Sequence, residues 1–483
     1  MAVGWMGRFL AVLMLVPLMA CAGVEEFGAP LAEVPAAYGV AGGGSDVWPS
    51  AAWWRGFGSP ELDRLVAGAQ EGNFDLQAAV ARVRQADQQL AIAGAPLLPT
   101  VTAAGDEQWS RSSVRRVAGQ LARTSTIETR SFSTGPSVSW EIDIWGRLRS
   151  TREAAAATAL ASRFDQHAVA LTVVTSVASA WFQAAALQDR MAIAVRNLAD
   201  SEAILRAIEG RQSVGTASAL DVAQQAALVA GVRSSIPGLR SQLEQQLAAI
   251  GVLNGRLSSG MGLRPGSLDT LKLPEISPGL PSALLARRPD VAEAEAQLVA
   301  ARANIRVARV AFFPQITLSG AAGWQSLALG TLFGPGSFFA NAALSGSQAV
   351  FNNGRLTAQL ELSRARYDKL LANYRKTVVQ AFTDVENGVR AYGFASEQER
   401  LTADAVRVAQ LAADIASEQV RAGTSDIVRA LQAQTTLFQD LDALAQARLS
   451  RFEALLSLYK AMGGGWSREE VETPEVRLFL GVL

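Results

Sequence analysis

From Ser131 to Asp143 the chain alternates between two parities. Phe132, Thr134, Pro136, Val138, Trp140 and Ile142 hold one, and Ser131, Ser133, Gly135, Ser137, Ser139, Glu141 and Asp143 the other. A period of two sends successive side chains to opposite faces, so this stretch predicts a strand with one apolar and one polar side. After Pro314 the pattern recurs, with Ile316, Leu318, Ala322 and Trp324 against Gln315, Thr317, Ser319 and Gln325. Phe338 to Asn352 alternates moderately, and the stretch after Pro99 is weaker because Asp106 and Glu107 stand side by side. Four strands of about ten to fourteen residues are predicted.

The rest of the pattern is helical. Arg147 to Gln212 and Arg355 to Ala422 are Ala-rich, charged and free of proline. Each predicts an unbroken helix of about 100 Å at 1.5 Å per residue. Gly210, Gly215 and Gly423 mark their far ends as helix stops. Partner helices follow, carrying Ile236, Leu239, Leu243, Leu247, Ile250 and Leu253, then Leu437, Leu441, Leu444, Phe452, Leu455 and Leu458. Spacings of three and four predict antiparallel, coiled-coil-like packing.

These elements come in two sets. Asn73–Gly105 aligns with Arg288–Gly320 at an offset of 215, pairing Asp75 with Asp290, Ala86 with Ala301, Pro99 with Pro314, and Gly105 with Gly320. At an offset of 208, Gly146-Arg147-Leu148 meets Gly354-Arg355-Leu356, Val214–Ser218 meets Ala422–Asp426, and Leu247 meets Leu455. Matched blocks in the same order imply a tandem duplication. The expected organisation is a signal peptide over 1–20, an N-terminal extension over 21–59 and a first repeat over 60–263. A Pro-rich linker over 264–286, a second repeat over 287–466 and a tail over 467–483 complete it.

The first residues set the compartment. Arg8 precedes an apolar run from Phe9 to Ala20, too short to span a bilayer and suited to a signal-peptide core. It ends at Cys21, the only cysteine of the 483 residues, which excludes an internal disulfide. A signal core ending in Ala20-Cys21 resembles a bacterial lipoprotein box, with Cys21 as the acylated first residue and Ala22 favouring the outer membrane. An ordinary cleaved signal with an incidental cysteine is the other reading. The chain is 49% hydrophobic but only 18% charged, below the ~25% usual for soluble domains. Lys+Arg and Asp+Glu both number 44, so no basic excess points to nucleic acid.

Export combined with alternating strands suggests a membrane. Beyond Cys21 we find no helix-length apolar segment to span it, whereas apolar-faced strands cross an outer membrane inside a closed barrel. Four strands cannot close alone, since membrane barrels start at eight. Two chains supply eight and three supply twelve, and the wider ring leaves the useful lumen. A soluble sandwich with its apolar face in a core is the competing reading.

Arg287–Trp324, with its Arg-Arg-Pro-Asp and Phe-Phe-Pro blocks, Trp53–Val66 and Val350–Asp368 resemble the outer-membrane factor family of tripartite efflux systems. The nearest branch is that of the TolC-like, NodT-type efflux outer-membrane lipoproteins. The resemblance implies a mainly α fold with a membrane β-barrel portion: a homotrimeric twelve-strand barrel continuous with an α-helical periplasmic tunnel. It also implies a periplasmic adaptor and an inner-membrane pump of the resistance-nodulation-division type as partners. A pore-less periplasmic coiled-coil adaptor or scaffold anchored by Cys21 is the alternative.

Catalytic chemistry is not evident. His167 is the only histidine, which leaves no His-based triad or metal set, and neither Gly-rich run carries a nucleotide loop. No enzyme and no cofactor are expected. By resemblance, the functional places are the helix–helix turns, where Gly215, Thr216, Gly423, Thr424 and Asp426 meet the adaptor. Gly215 and Gly423 allow a sharp reversal, and Thr216 or Thr424 is expected to cap the following helix. Alignment through Ala422-Gly423-Thr424 puts the gate at Val428 and Gln432. Gln432 stands where relatives carry an aspartate, and Asp426 or Arg429 is a substitute. Glu141 and Asp143 are expected on the lumen side near the periplasmic end, either biasing cation passage or simply solvated. Gly146, Arg147, Gly354 and Arg355 mark the barrel-to-tunnel junction.

Overall fold

The computed structural model describes residues 48–118, 121–275, 281–422, 424, 427–468 and 471. The first repeat runs α1 (Pro60–Gly72), α2 (Phe74–Gly94), β1 (Thr100–Ala118), β2 (Leu121–Glu141), α3 (Arg147–Ser213) and α4 (Ala219–Leu253). The second runs α5 (Pro281–Leu285), which falls within the expected linker, then α6 (Pro289–Val310), β3 (Gln315–Ser326), β4 (Phe338–Ser347), α7 (Arg355–Arg421) and α8 (Ile427–Ala461). The order is the same in both. The long helices α3 and α7 have 67 residues each, and α4 and α8 have 35 each. Duplication is thus visible in element length as well as in sequence. Helix α4 continues through Pro237, although proline has no N–H to give the carbonyl one turn back.

The chain forms two compact units. One comprises Arg84–Leu160 and Glu295–Asn373 and holds the four strands. They form a single antiparallel sheet in the order β1-β2-β3-β4. Directly opposed residues in an antiparallel pair share a face, so the register decides sidedness. Val101 opposes Val138, Trp140 opposes Leu318, Leu318 opposes Leu344, and Trp324 opposes Phe338. One face therefore gathers the apolar parity of all four strands. Its reverse carries Thr102, Ser137, Ser139, Thr317, Ser319, Asn341 and Ser345.

The apolar band has edges. Phe132, Trp324 and Phe338 lie toward one end, with Phe333 and Phe338 packed at 5.6 and 6.1 Å from the Trp324 ring. Trp140 stands eight residues along β2 at the other end, about 26 Å away at 3.3 Å per residue. An aromatic girdle at each rim of a ~25 Å band suits a strand crossing a bilayer. Past Phe132 the same face turns charged, with Arg130 paired to Glu107 and Arg111 to Glu128. Phe132 itself is buried, with the Arg130 guanidinium over its ring, rather than exposed like Trp324 and Phe338.

Strand lengths depart from expectation. β3 and β4 have 12 and 10 residues, but β1 and β2 have 19 and 21 and remain paired from Thr100↔Ser139 to Ala118↔Leu121. Backbone pairing needs no apolar face, so the ladder runs on through the polar stretch that alternation left out. β2 and β3 also approach closely at one point. A Cβ on Gly135 would lie 2.2 Å from the Ala322 carbonyl oxygen, and one on Gly323 equally close to that of Thr134.

The second unit contains Ala161–Ala294 and the chain from Tyr374, together with the described residues before 84. Its core stacks Trp53 on Tyr459 at 4.8 Å and sets Phe182 between Phe57 and Phe452, at 4.9 and 5.1 Å. Helix α3 supplies Val173, Val174, Val177, Ala178, Trp181 and Ala184–Leu187 to it. This corrects the expectation that no helix-length apolar segment follows Cys21. An 18-residue window of α3 reaches a mean hydropathy of 1.5, enough by composition to cross a membrane. More than half of it is buried in this protein core, which accounts for its hydropathy. The inter-repeat linker is held against the same unit. Leu268 is buried, its N–H donates to Asp189 at 2.9 Å, and the Lys272 N–H donates to the Phe57 carbonyl at 3.0 Å.

Candidate functional site

At the turn between α3 and α4, Gly215 takes the left-handed conformation with φ 78°. The Gly215 N–H donates to the Gln212 carbonyl and the Thr216 N–H to that of Arg211, the Schellman pattern that seals a helix end. The Thr216 hydroxyl donates to the same Arg211 carbonyl at 3.0 Å. In the second repeat, the Thr424 N–H and hydroxyl donate to the Gln419 carbonyl at 2.9 and 3.2 Å. Both threonines thus close the preceding helices, and the helix after Thr216 is capped by another residue, contrary to expectation.

The cap of α4 is Ser218. Its hydroxyl accepts from the Asp221 N–H at 3.1 Å, and the Asp221 carboxylate accepts from the Ser218 N–H at 2.8 Å. These bonds hold the Asp221 carboxyl below its usual range. Ser-x-x-Asp is a capping-box signature, so this pair was readable from Ser218-Ala-Leu-Asp221 and was missed. At the 208 offset Arg429 replaces Asp221, so the second turn lacks that partner. Val214, Leu220 and Val428 are exposed at these turns, as are Arg429 and Gln432. Val428 and Gln432 are four residues apart on α8, and therefore on one face of it. Gly423 and Asp426 lie outside the described residues, as does Cys21.

Where strands pass into helices, both repeats use the same device. Gly146 and Gly354 have φ of 81° and 77°, and their carbonyls accept the first helical bonds, from Ser150 and Ala358, at 2.9 Å. Arg147 and Arg355 then begin α3 and α7. A β-carbon at that φ costs roughly 1 kcal/mol, which explains glycine in both copies. The carboxylates nearby are engaged. Glu141 opposes Thr317 on the polar face, pairs with Arg147 at 2.5 Å and accepts from Gln315 Nε2 at 2.6 Å. Asp143 accepts from the N–H groups of Leu148 and Arg149 at 3.1 and 2.9 Å and pairs with the Arg149 guanidinium. Burial works to raise the Asp143 carboxyl, but those amides and the guanidinium outweigh it and hold it below the usual range. Glu141 and Asp143 are therefore bound into the junction instead of standing as free or simply solvated charges.

Among the described residues the sheet leaves β1 and β4 with unpaired outer edges, and its face alternation is that of a barrel wall. Against this geometry, the sequence pattern of the family described as outer membrane efflux protein matches residues 65–256 and 280–464, one segment in each half. The chain belongs to this outer membrane efflux protein family. The pyoverdine export outer membrane protein OpmQ of Pseudomonas aeruginosa is 39% identical over 436 residues, covering 89% of this chain and 90% of that one. The toluene efflux pump outer membrane protein TtgC of Pseudomonas putida is 34% identical over 435 residues, covering 88% of each. The solved outer-membrane channel OprN superposes with a TM-score of 0.83 at 26% identity, covering 90% of this chain and 98% of its own. Like its family, the chain is an outer-membrane channel protein of tripartite efflux systems, with the expected mainly α fold, four strands and two tandem repeats. The pore-less scaffold is set aside.

Proposed function

We propose that three copies of this chain close a twelve-strand barrel in the outer membrane, continuous with a tunnel of the long helices. The observation that carries this reading is the four-stranded sheet with two unpaired edges and all its apolar parities on one face. An edge of unmet N–H and C=O groups cannot remain open in lipid, so other copies must complete the ring. The polar face then lines a water-filled lumen. The channel is passive, and an inner-membrane pump of the resistance-nodulation-division type supplies the energy through a periplasmic adaptor.

The adaptor meets the helix turns around Gly215, Thr216, Gly423, Thr424 and Asp426, and Val428, Arg429 and Gln432 form the gate. Exposed Val214 and Leu220 support that assignment, because they put apolar surface at a water-facing turn. Without an aspartate at Gln432, the gate lacks an acidic ring and closes by apolar contact. Cys21 is acylated and anchors the mature chain to the outer membrane.

The deciding experiment extracts the protein from outer membranes, measures its mass in detergent and records conductance in a planar bilayer. A trimer that conducts is expected. A monomer confined to the inner membrane, silent even after opening substitutions at the turns, overturns the reading. Cys21→Ser is expected to abolish acyl labelling, and unchanged labelling refutes the anchor.

A further inference from the structure

The polar face of the sheet has one exception. Between the girdles its side chains are Thr, Ser, Asn, Gln, Ala or Gly, with the carboxylate Asp106 on β1 and a single apolar ring, Phe339 on β4. Consecutive Phe338 and Phe339 must take opposite faces, and Phe338 opposes Trp324 in the apolar girdle. Phe339 is thereby committed to the polar side, opposite Gly323. The row continues across the sheet through Gly135, in backbone contact range of Gly323, to Ala104, which opposes Gly135. At this level nothing larger than a methyl group flanks the Phe339 ring on three strands.

Exposure agrees with that row. Phe339 is half-buried, while the other nine residues of β4 are exposed. A ring projecting into water would be the most exposed residue of its strand. This one has part of its surface covered and leaves the remainder open. Its level is that of the Trp324–Phe338 girdle, at the end of the sheet away from Glu141 and Gln315, where the strands join the helices.

We propose that Phe339 is a cargo-contacting residue of the channel, an aromatic ring on the lumen wall near the extracellular exit that stacks planar apolar groups of passing molecules. The proposal rests on the closed-barrel reading above, in which three copies place three such rings at one level. Elsewhere in the band the described lumen face offers hydroxyls, amides, methyls and the Asp106 carboxylate, so Phe339 is the place where an aromatic cargo meets a matching surface. Aromatic pairs favour offset or edge contacts, and they tolerate many ring systems because the attraction is not tied to one hydrogen-bond pattern. That tolerance suits a conduit for chemically varied exports.

The test uses the full-length channel in planar bilayers, with naphthalene-1-sulfonate or methanesulfonate added on the extracellular side in potassium chloride. Both carry one negative charge and differ in the ring. Naphthalenesulfonate is expected to reduce the wild-type current, and methanesulfonate to leave it unchanged. Phe339→Ser is expected to raise the half-blocking concentration by about 2- to 12-fold with the basal conductance kept, whereas Phe339→Trp retains the block. A conducting wild type that naphthalenesulfonate does not block, or an F339S channel blocked as before, overturns the proposal. If F339S does not insert, Phe339→Leu decides by the same criterion, since it keeps apolar bulk without a ring. A wild type that never conducts overturns the channel reading itself, a result distinct from either of these.

Discussion

Arg288 and Asn73 occupy matched positions of the two repeats and do the same task with different chemistry. Asn73 donates from Nδ2 to the Leu253 carbonyl at 2.9 Å and accepts the Leu76 N–H at 3.0 Å. Arg288 donates to Asp290 at 3.0 and 2.6 Å, to Asp384 at 3.0 Å and to the Ala461 carbonyl at 3.2 Å. Leu253 and Ala461 are the last residues of α4 and α8, so each bond ties the head of α2 or α6 to the final helix of its repeat. Arg288→Ala is expected to cost about 3 kcal/mol, the low end for a broken buried pair because Asp290 and Asp384 keep some water. Asn73→Ala, which removes neutral bonds only, should cost about 1–2 kcal/mol. Thermal unfolding in detergent measures both, and an R288A protein that melts with wild type denies the clamp. The Arg-Arg-Pro-Asp block stood out in the sequence, but its purpose did not. Asp384 and Ala461 lie far along the chain, and no local pattern announces a contact of that span.

At the scale of elements, α3 and α7 were legible to within a residue or two, because proline-free runs bounded by glycine leave little freedom. The β1–β2 hairpin was not. Apolar alternation reports which part of a strand faces lipid or core, and the outer half of this hairpin faces neither. Helix starts were partly legible. Gly146 and Gly354 stand out in the sequence, while the role of Asp143 as receptor for the first N–H groups of α3 does not. That role has a pH signature. The folded carboxyl is held below its ordinary value of 3.8, so its contribution is fully present above that value. It is lost as pH falls through the lower folded value. Asp143→Asn is expected to destabilise by about 1 kcal/mol at neutral pH, the worth of a charged cap at a helix start. The gap from wild type should close in acid, once the pH is below the lowered folded value and the native carboxyl is protonated as well. Thermal unfolding at the two pH values checks this, and a gap that persists in acid would assign the loss to geometry instead of charge.

On the scale of the whole molecule, one chain cannot satisfy its own sheet, and the sequence already implied as much. Four apolar-faced strands demand closure, whichever residues form them. What remained hidden was the alignment of faces, because parity within a strand does not say which parity of its neighbour it joins. The register supplies that link, and it makes a strict test possible at two adjacent, initially identical side chains. Ala342 opposes Gly320 on the apolar face, Ala343 opposes Ser319 on the polar face, and both are exposed. Both lie between the aromatic girdles, so depth in the membrane is nearly the same for the pair. Ala342→Arg places a guanidinium against hydrocarbon and is expected to cost about 2–4 kcal/mol, with much less protein reaching the outer membrane. Ala343→Arg places the same group in the water-filled lumen. It is expected to insert normally and to shift ion selectivity toward anions in bilayer recordings. Equal tolerance of the two would mean that neither face meets lipid, and the reverse order would turn the barrel inside out. Only the predicted order is compatible with a wall whose lipid side and lumen side are separated by a single residue of register.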